Sequence, residues 1–279
     1  MSKPIEIQFG ERAVQIFCDD PILRDPLCRY FRHCLRSNAV PIAATFQLIQ
    51  QGENVWELWI ENRLTAKGSL PSRHFEILMG MLVSKLIANS HQQAVYHAGG
   101  LAKEGRGLVL CGDSGSGKST LTAYLVSKGF DYLTDEIVGF SLEGETVVGL
   151  PRPIILKQKP ESGWQSWLPP DNQEKFEVFP HGGIWVDPDL FRPRAVTHSA
   201  KPAVIFFPRF QSGQGFEWQE LSQAETAFEL MQRLVNAKNL PNHGFTFTTQ
   251  LARKIKAYRL TYGEITDEMW RWINEIFVM

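Results

Sequence analysis

The sequence predicts an α/β fold in which a largely parallel sheet carries helices on its faces, preceded by a small α+β region. Three observations predict it. An apolar run, Gly107–Cys111, leads through a glycine-rich loop into a helix-forming stretch and a second apolar run, Phe130–Thr134, which is the order of a βαβ unit. Strand and helix patterns alternate again from Ala203 to the end of the chain. The first ninety or so residues instead mix short alternating runs with isolated helix patterns, so the chain divides into an N-terminal region, 1–90, and a main domain, 91–279.

Each element has its own signal. Ile5, Ile7 and Phe9 alternate as a strand does, and Val55, Leu58 and Ile60 do so less strictly. Asp25–Arg36 reads as a helix started by Pro26. Pro71 and Ser72 open a helix over Arg73–Ser90, with Ser72 as N-cap and Phe75, Leu78, Met79, Leu82 and Leu86 at helical spacing. Lys118–Lys128 is a helix stopped by Gly129. Prolines crowd the stretch from Pro151 to Pro193 and predict loops and short strands. Ala203–Phe207 is a strand, and Ser222 with Glu225 forms a capping box for a helix near Ala224–Ala237, whose apolar stripe is Phe228, Met231, Leu234 and Val235. Tyr258, Leu260 and Tyr262 alternate as a late strand, and Thr266 caps a last helix that turns Met269, Trp270, Ile273 and Phe277 inward.

Composition narrows the function classes. A formal net charge of -1 lacks the basic excess of a nucleic-acid binder. Cys18, Cys28, Cys34 and Cys111 show no zinc-ligand spacing and read as reduced thiols, which points to the cytoplasm. The N-terminal stretch has no signal-peptide core, and the most apolar segment, Phe75–Ala88, carries Glu76 and Lys85 and is too short for a bilayer span, so no membrane anchor is expected.

The chemistry is concentrated in Gly112-Asp113-Ser114-Gly115-Ser116-Gly117-Lys118-Ser119-Thr120, which fits the phosphate-binding pattern G-x-x-x-x-G-K-[ST] in full. Glycines let backbone N–H groups approach phosphate oxygens, and the helix from Lys118 directs its positive end at the anion. Lys118 supplies a cation for the β and γ phosphates, and the Ser119 hydroxyl suits Mg²⁺. The next strand ends in Thr134-Asp135-Glu136, at the strand end where a parallel sheet forms its ligand crevice. One of these carboxylates can hold Mg²⁺ while the other accepts a proton from an attacking hydroxyl or water.

The block Tyr96–Phe140 resembles the catalytic domain of HPr kinase/phosphorylase, and the chain over about 90–279 resembles the HPr kinase-related kinases, type A, of peptide-modification gene clusters. The phosphate loop GDSGSGKST, the acidic pair seventeen positions after Lys118, and His97 ahead of Gly99-Gly100 carry the match. Pro151–Lys157 and Phe206–Arg209 resemble those kinases more weakly. The resemblance implies a P-loop kinase domain of the HPr kinase/phosphoenolpyruvate carboxykinase type. It implies ATP or GTP with Mg²⁺, Asp135 as base, Glu136, Asp135 and Ser119 at the metal, and His97 orienting Asp135 or touching the transferred phosphate. It implies a peptide or protein substrate with a serine hydroxyl, served by a peptide-recognition protein, and it allows an oligomer. Thr120 stands where HPr kinase has Glu, Glu136 where it has Asp, and His181-Gly182-Gly183 is a loose counterpart of its later glycine-rich signature, which points to an acceptor other than HPr.

Competing readings are a small-molecule hydroxyl kinase and a nucleotide-binding switch or ATPase without an acceptor. Arg152, Lys157 and Arg209 are further cations that could return to the phosphates, and Trp164, Trp167 and Trp185 are aromatics for either a peptide groove or loop packing.

Overall fold

The computed structural model describes residues 3–36, 38–52, 55–69, 71–157, 163–178 and 183–278. It divides into two compact units, one ending at Gln92 and one beginning at Gln93. No helix among the described residues is long and apolar enough to cross a membrane.

The first unit is a five-stranded sheet whose strand order follows the chain: β1 (Ile5–Phe9), β2 (Arg12–Cys18), β3 (Ile42–Gln50), β4 (Trp56–Ile60) and β5 (Arg63–Gly68). Only β2 and β3 pair in parallel, and α1 (Pro21–Tyr30) occupies the crossover between them. This helix begins earlier than the Pro26 signal predicts, because Asp20 caps it by accepting from the Ile22 N–H at 2.9 Å with Pro21 at the first helical position. Pro26 lies inside it. The second helix, α2 (Pro71–Ala88), starts at Pro71, so Ser72 falls within its first turn rather than at its cap. Leu78, Leu82 and Leu86 of α2 are fully buried, as are Ile7, Ile16, Phe46 and Leu58 of the sheet.

The second unit is built on an eight-stranded sheet. Its members are β6 (Gln93–Lys103), β7 (Arg106–Cys111), β8 (Asp131–Thr134), β9 (Ile137–Ser141), β10 (Val147–Gly149), β14 (Ser199–Phe210), β15 (Glu217–Glu220) and β16 (Lys256–Tyr262). A separate three-stranded antiparallel sheet joins β11 (Ile154–Lys157), β12 (Glu177–Val178) and β13 (Gly183–Val186) inside the proline-rich stretch.

The large sheet is not largely parallel. Only β7, β14 and β16 run together in parallel, and every other pairing is antiparallel. The cause is a hairpin absent from the sequence reading. Glu104 and Gly105, at φ 53° and 75°, form a tight turn that folds β6 back onto β7. Helix α3 (Lys118–Ser127) still crosses between two strands of one direction, β7 and β8, but β6 lies between them, antiparallel to both.

Both faces of this sheet are covered. Side chains alternate along β7, with Leu108 and Leu110 in a core with Leu121 and Leu125 of α3 and Met269, Ile273 and Phe277 of α6 (Asp267–Val278). Val109 and Cys111 face the other core, with Leu230 of α4 (Gln223–Met231) and Phe247 and Leu251 of α5 (Phe245–Lys254). Trp164 is 1% exposed and belongs to the first core, and Trp167 meets Tyr124 edge-on with ring centroids 5.3 Å apart, so both pack the proline-rich stretch onto the sheet.

The capping box of Ser222 and Glu225 is present, but α4 stops at Met231, short of Ala237. The chain leaves the helix so that Val235 N–H can donate to Val95 O at 2.8 Å, beside β6. Buried Asn236 fixes the junction, accepting from Val95 N–H and donating to Gln93 O, both at 2.8 Å. Phe228, within α4, and Val235, beyond its end, are expected on an inward stripe but are 65% and 43% exposed.

Candidate functional site

The phosphate loop leaves the C-terminal end of β7 and meets the C-terminal ends of its parallel neighbours. Phe210 N–H, at the end of β14, donates to Ser116 O at 3.1 Å, and the Tyr262 hydroxyl, at the end of β16, reaches Gly117 O at 3.4 Å. Three parallel strand ends therefore frame one loop, the arrangement in which α/β sheets bind ligands. Gly117 is required there. Its φ is +92°, and a Cβ would lie 2.5 Å from the Tyr262 hydroxyl. Gly112 is equally confined, since its Cβ would sit 2.5 Å from Ser116 Oγ. The first bond of the α3 ladder runs from Leu121 N–H to Gly117 O at 2.9 Å, which leaves the amides of Lys118, Ser119 and Thr120 ahead of the ladder at the positive end of the helix dipole. Asp113, Ser114 and Gly115 form the exposed rim of the loop.

Lys118 is buried and folds back over its own loop, donating from Nζ to Gly112 O at 2.6 Å and Asp113 O at 2.9 Å. Burial lowers its pKa, and Asp135, Cys111 and Asp113 act against that shift. The loop carbonyls hold a cation that a phosphate oxygen can take over, because charge-assisted bonds between ions are stronger than those to neutral carbonyls.

The acidic pair sits where β8 and β9 would be one continuous strand along β6. Thr134 pairs with Gly100 and Ile137 with His97, so Asp135 and Glu136 occupy the bend between the two strands. Two neighbouring carboxylates meet different fates here. Glu136 is ion-paired with buried Arg152. Asp135 accepts from the Ile155 N–H through Oδ2 at 3.2 Å, and its Oδ1 is buried without a hydrogen-bond partner. Burial pushes the Asp135 pKa up from its ordinary 3.8 to about 6, while the Ser119 hydroxyl, the Ile155 N–H, Arg152 and Lys118 pull it back. The influence of Ser119 and Lys118 joins Asp135 to the phosphate loop across β6.

His97 stands on β6 opposite Ile137 with an exposed side chain. The protein around one side of the ring lowers its pKa first, and the charges of Lys118 and Arg152 lower it further, which favours the neutral imidazole. His97, Lys118, Ser119, Asp135 and Glu136 thus gather at one end of the sheet. The strand-end segment 150–155 completes this side, since Thr134 Oγ1 donates to Leu150 O at 2.8 Å and the Tyr132 hydroxyl to Arg152 O at 2.7 Å. Of the further cations, Arg152 faces the acidic pair, and Arg209 lies on the opposite flank 3.6 Å from Glu229. The backbone of Lys157 ends β11, and His181 and Gly182 lie outside the described residues.

That opposite flank was not legible in the sequence. Glu229, buried on α4, meets Arg233 at 2.7 Å, Arg259 at 2.9 Å and Arg209 at 3.6 Å. Burial raises its pKa, but Arg259 and Arg233 outweigh that and hold the carboxyl below its ordinary range. Arg233 also reaches Asp113 of the phosphate loop at 3.3 Å. These residues are spread over β14, α4, the segment after it and β16, and among them only Glu229 and Arg233, four residues apart, share a local spacing.

An oxygen-only donor set suits Mg²⁺. Asp135 Oδ1, buried and unpaired, beside the Ser119 hydroxyl provides such a set, whereas Glu136 would have to leave Arg152 to join it.

No protein-family model matches the chain, and no curated protein matches it. Among solved structures, it is similar to the Hpr(Ser) kinase/phosphatase from Coxiella burnetii at 13% identity and a TM-score of 0.31, over 66% of this chain and 87% of that one. That is a remote structural resemblance, and it assigns neither a subfamily nor an activity.

Proposed function

We propose that the chain is a Mg²⁺-dependent kinase that transfers the γ-phosphate of ATP to a hydroxyl, a serine of a peptide or protein, in the manner of the HPr kinase-related kinases. One observation carries this reading: Asp135 lies next to the phosphate loop with a raised pKa and an unpaired Oδ1, while its neighbour Glu136 is committed to Arg152. A carboxylate with a pKa of about 6 is mostly ionised at pH 7 and still basic enough to take a proton in a transition state.

In this mechanism the amides at the start of α3 and the Lys118 ammonium hold the triphosphate. Ser119 and Asp135 would hold Mg²⁺, which would supply positive charge against the phosphate oxygens. Asp135 accepts the hydroxyl proton as the new O–P bond forms, and Lys118 and the loop retain the departing diphosphate. Neutral His97 orients Asp135 or donates to an oxygen of the transferred phosphoryl group. Nothing in the loop reads a base, so GTP is an alternative donor.

The test incubates the protein with γ-labelled ATP, Mg²⁺ and serine-containing peptides and follows the label. Label on the peptide, lost when serine is replaced by alanine and lost on chelation of Mg²⁺, is the expected result. Label released as free phosphate at one rate whatever peptide or hydroxyl metabolite is present would make the protein an ATPase or switch.

A further inference from the structure

We infer that Arg233 is a second cation of the phosphate loop, which exchanges the Asp113 carboxylate for an oxygen of the γ-phosphate of a bound nucleoside triphosphate. The inference rests on the nucleotide-binding reading above and adds to it a residue that distinguishes triphosphate from diphosphate.

Its position comes first. Arg233 Nη2 lies 3.3 Å from Asp113 Oδ1, and Asp113 is the second residue of the loop, with a side chain 85% exposed at the rim. The arginine itself is 12% exposed, and its Nη2 meets the loop at that rim.

The guanidinium is also fixed in advance. Nη1 donates to Glu229 O at 2.8 Å and to Glu229 Oε2 at 2.7 Å, and the group lies over the Phe207 ring with its central carbon 5.7 Å from the centroid. The backbone is clipped to β6 on both sides, since His97 N–H donates to Arg233 O at 3.4 Å and Val235 N–H to Val95 O at 2.8 Å. An ion held this way loses little freedom when it binds.

Neither is its charge used up. Glu229 already has Arg259 at 2.9 Å and Arg209 at 3.6 Å, so three cations share two carboxylates, Glu229 and Asp113. The Arg233 Nε is buried without a hydrogen-bond partner, leaving one donor of the fork unused. Arg233 also depresses the pKa of Lys118, which places the two cations near one another. A pair with an exposed carboxylate is worth little, whereas a guanidinium on a phosphate makes charge-assisted bonds in matching geometry. The exchange therefore runs toward phosphate.

A purely structural Arg233 would only tie α4 to β6, and nucleotide ratios separate the two roles. Calorimetry with Mg²⁺–ATP and with Mg²⁺–ADP is run on wild type, Arg233→Gln and Asp113→Asn, with melting curves as a check on folding. Arg233→Gln should weaken ATP by about 10- to 100-fold, the range of a lost charged hydrogen bond, and ADP by less than about threefold. Asp113→Asn should raise ATP affinity relative to ADP, by about threefold, as the competing carboxylate is removed. An unchanged ATP-to-ADP ratio in folded Arg233→Gln overturns the inference and leaves nucleotide binding intact. If that variant does not fold, Asp113→Asn decides, and an unchanged or lowered ratio there overturns it. Wild-type protein that binds neither nucleotide overturns the nucleotide reading and this inference with it.

Discussion

The two flanks of the phosphate loop each bury a carboxylate, and the two carboxylates are in opposite electrostatic conditions. On the β8–β9 flank Asp135 has one backbone donor, the Ser119 hydroxyl beside it and an oxygen without a close hydrogen bond, and burial lifts its pKa to about 6. On the β14–β16 flank Glu229 is gripped by three arginines, and its carboxyl is held below the ordinary range despite burial. Burial acts in the same direction on both but more strongly on Asp135, and the supply of cations adds to that difference. Lysine and arginine are present on the Asp135 side too, but Arg152 is spent on Glu136 and Lys118 on loop carbonyls. A carboxylate left short of partners is available for proton transfer, and one saturated with arginines is a scaffold that positions them.

Lys118→Ala breaks the comparison most severely, because Lys118 lies between the flanks. Transfer should fall by on the order of 10³-fold or more, with a marked loss of triphosphate affinity. Calorimetry with Mg²⁺–ATP and a transfer assay check both. Asp135→Asn keeps the shape and removes the base. It should leave the protein folded, at least as stable as wild type and still able to bind ATP, and lower transfer about a hundred- to a thousandfold. Near-normal turnover in the folded variant would take Asp135 out of the chemistry.

The pH dependence sharpens the contrast. Transfer in wild type should fall as the pH drops and Asp135 takes up a proton, with a midpoint below the metal-free value of about 6 when Mg²⁺ is saturating. The stability effect has the opposite sense. The folded pKa lies above the ordinary 3.8, so the unfolded chain releases this proton first as pH rises. The contribution of protonated Asp135 to stability is full below pH 3.8 and is lost by the time the pH passes about 6. Asp135→Asn should therefore melt higher than wild type at pH 8, with the advantage vanishing near pH 4.

The other flank should respond in stability more than in chemistry. Glu229→Gln leaves Arg233, Arg259 and Arg209 without their shared anion and should cost about 3 kcal/mol in a denaturant melt. A variant as stable as wild type would show that the arginines are satisfied elsewhere.

What the sequence discloses follows contact distance along the chain. The phosphate loop is legible because its nine residues are consecutive and flanked by a strand and a helix. Asp135 is legible because one helix separates it from that loop. The β6–β7 hairpin is not, since its turn is Glu104-Gly105 rather than the common Asn-Gly, although both residues adopt positive φ. Missing it turned an antiparallel insertion into a parallel sheet. The end of α4 also escapes a periodicity argument, because a buried side chain, Asn236, outweighs the helical pattern through Phe228 and Val235 by supplying partners to β6. The three arginines around Glu229 come from three segments; Arg233 stands four residues after Glu229, while Arg209 and Arg259 join them only through tertiary packing.

The central claim, that Asp135 is a carboxylate kept short of partners beside a phosphate loop, can be measured without knowing the acceptor. Protein labelled with ¹³C at aspartate carboxyl groups is titrated by NMR, and Asp135→Asn identifies the resonance by its loss. A midpoint near 6 is expected for this one aspartate. A midpoint at or below 3.8 would mean that Asp135 is as well compensated as Glu229, and would contradict it.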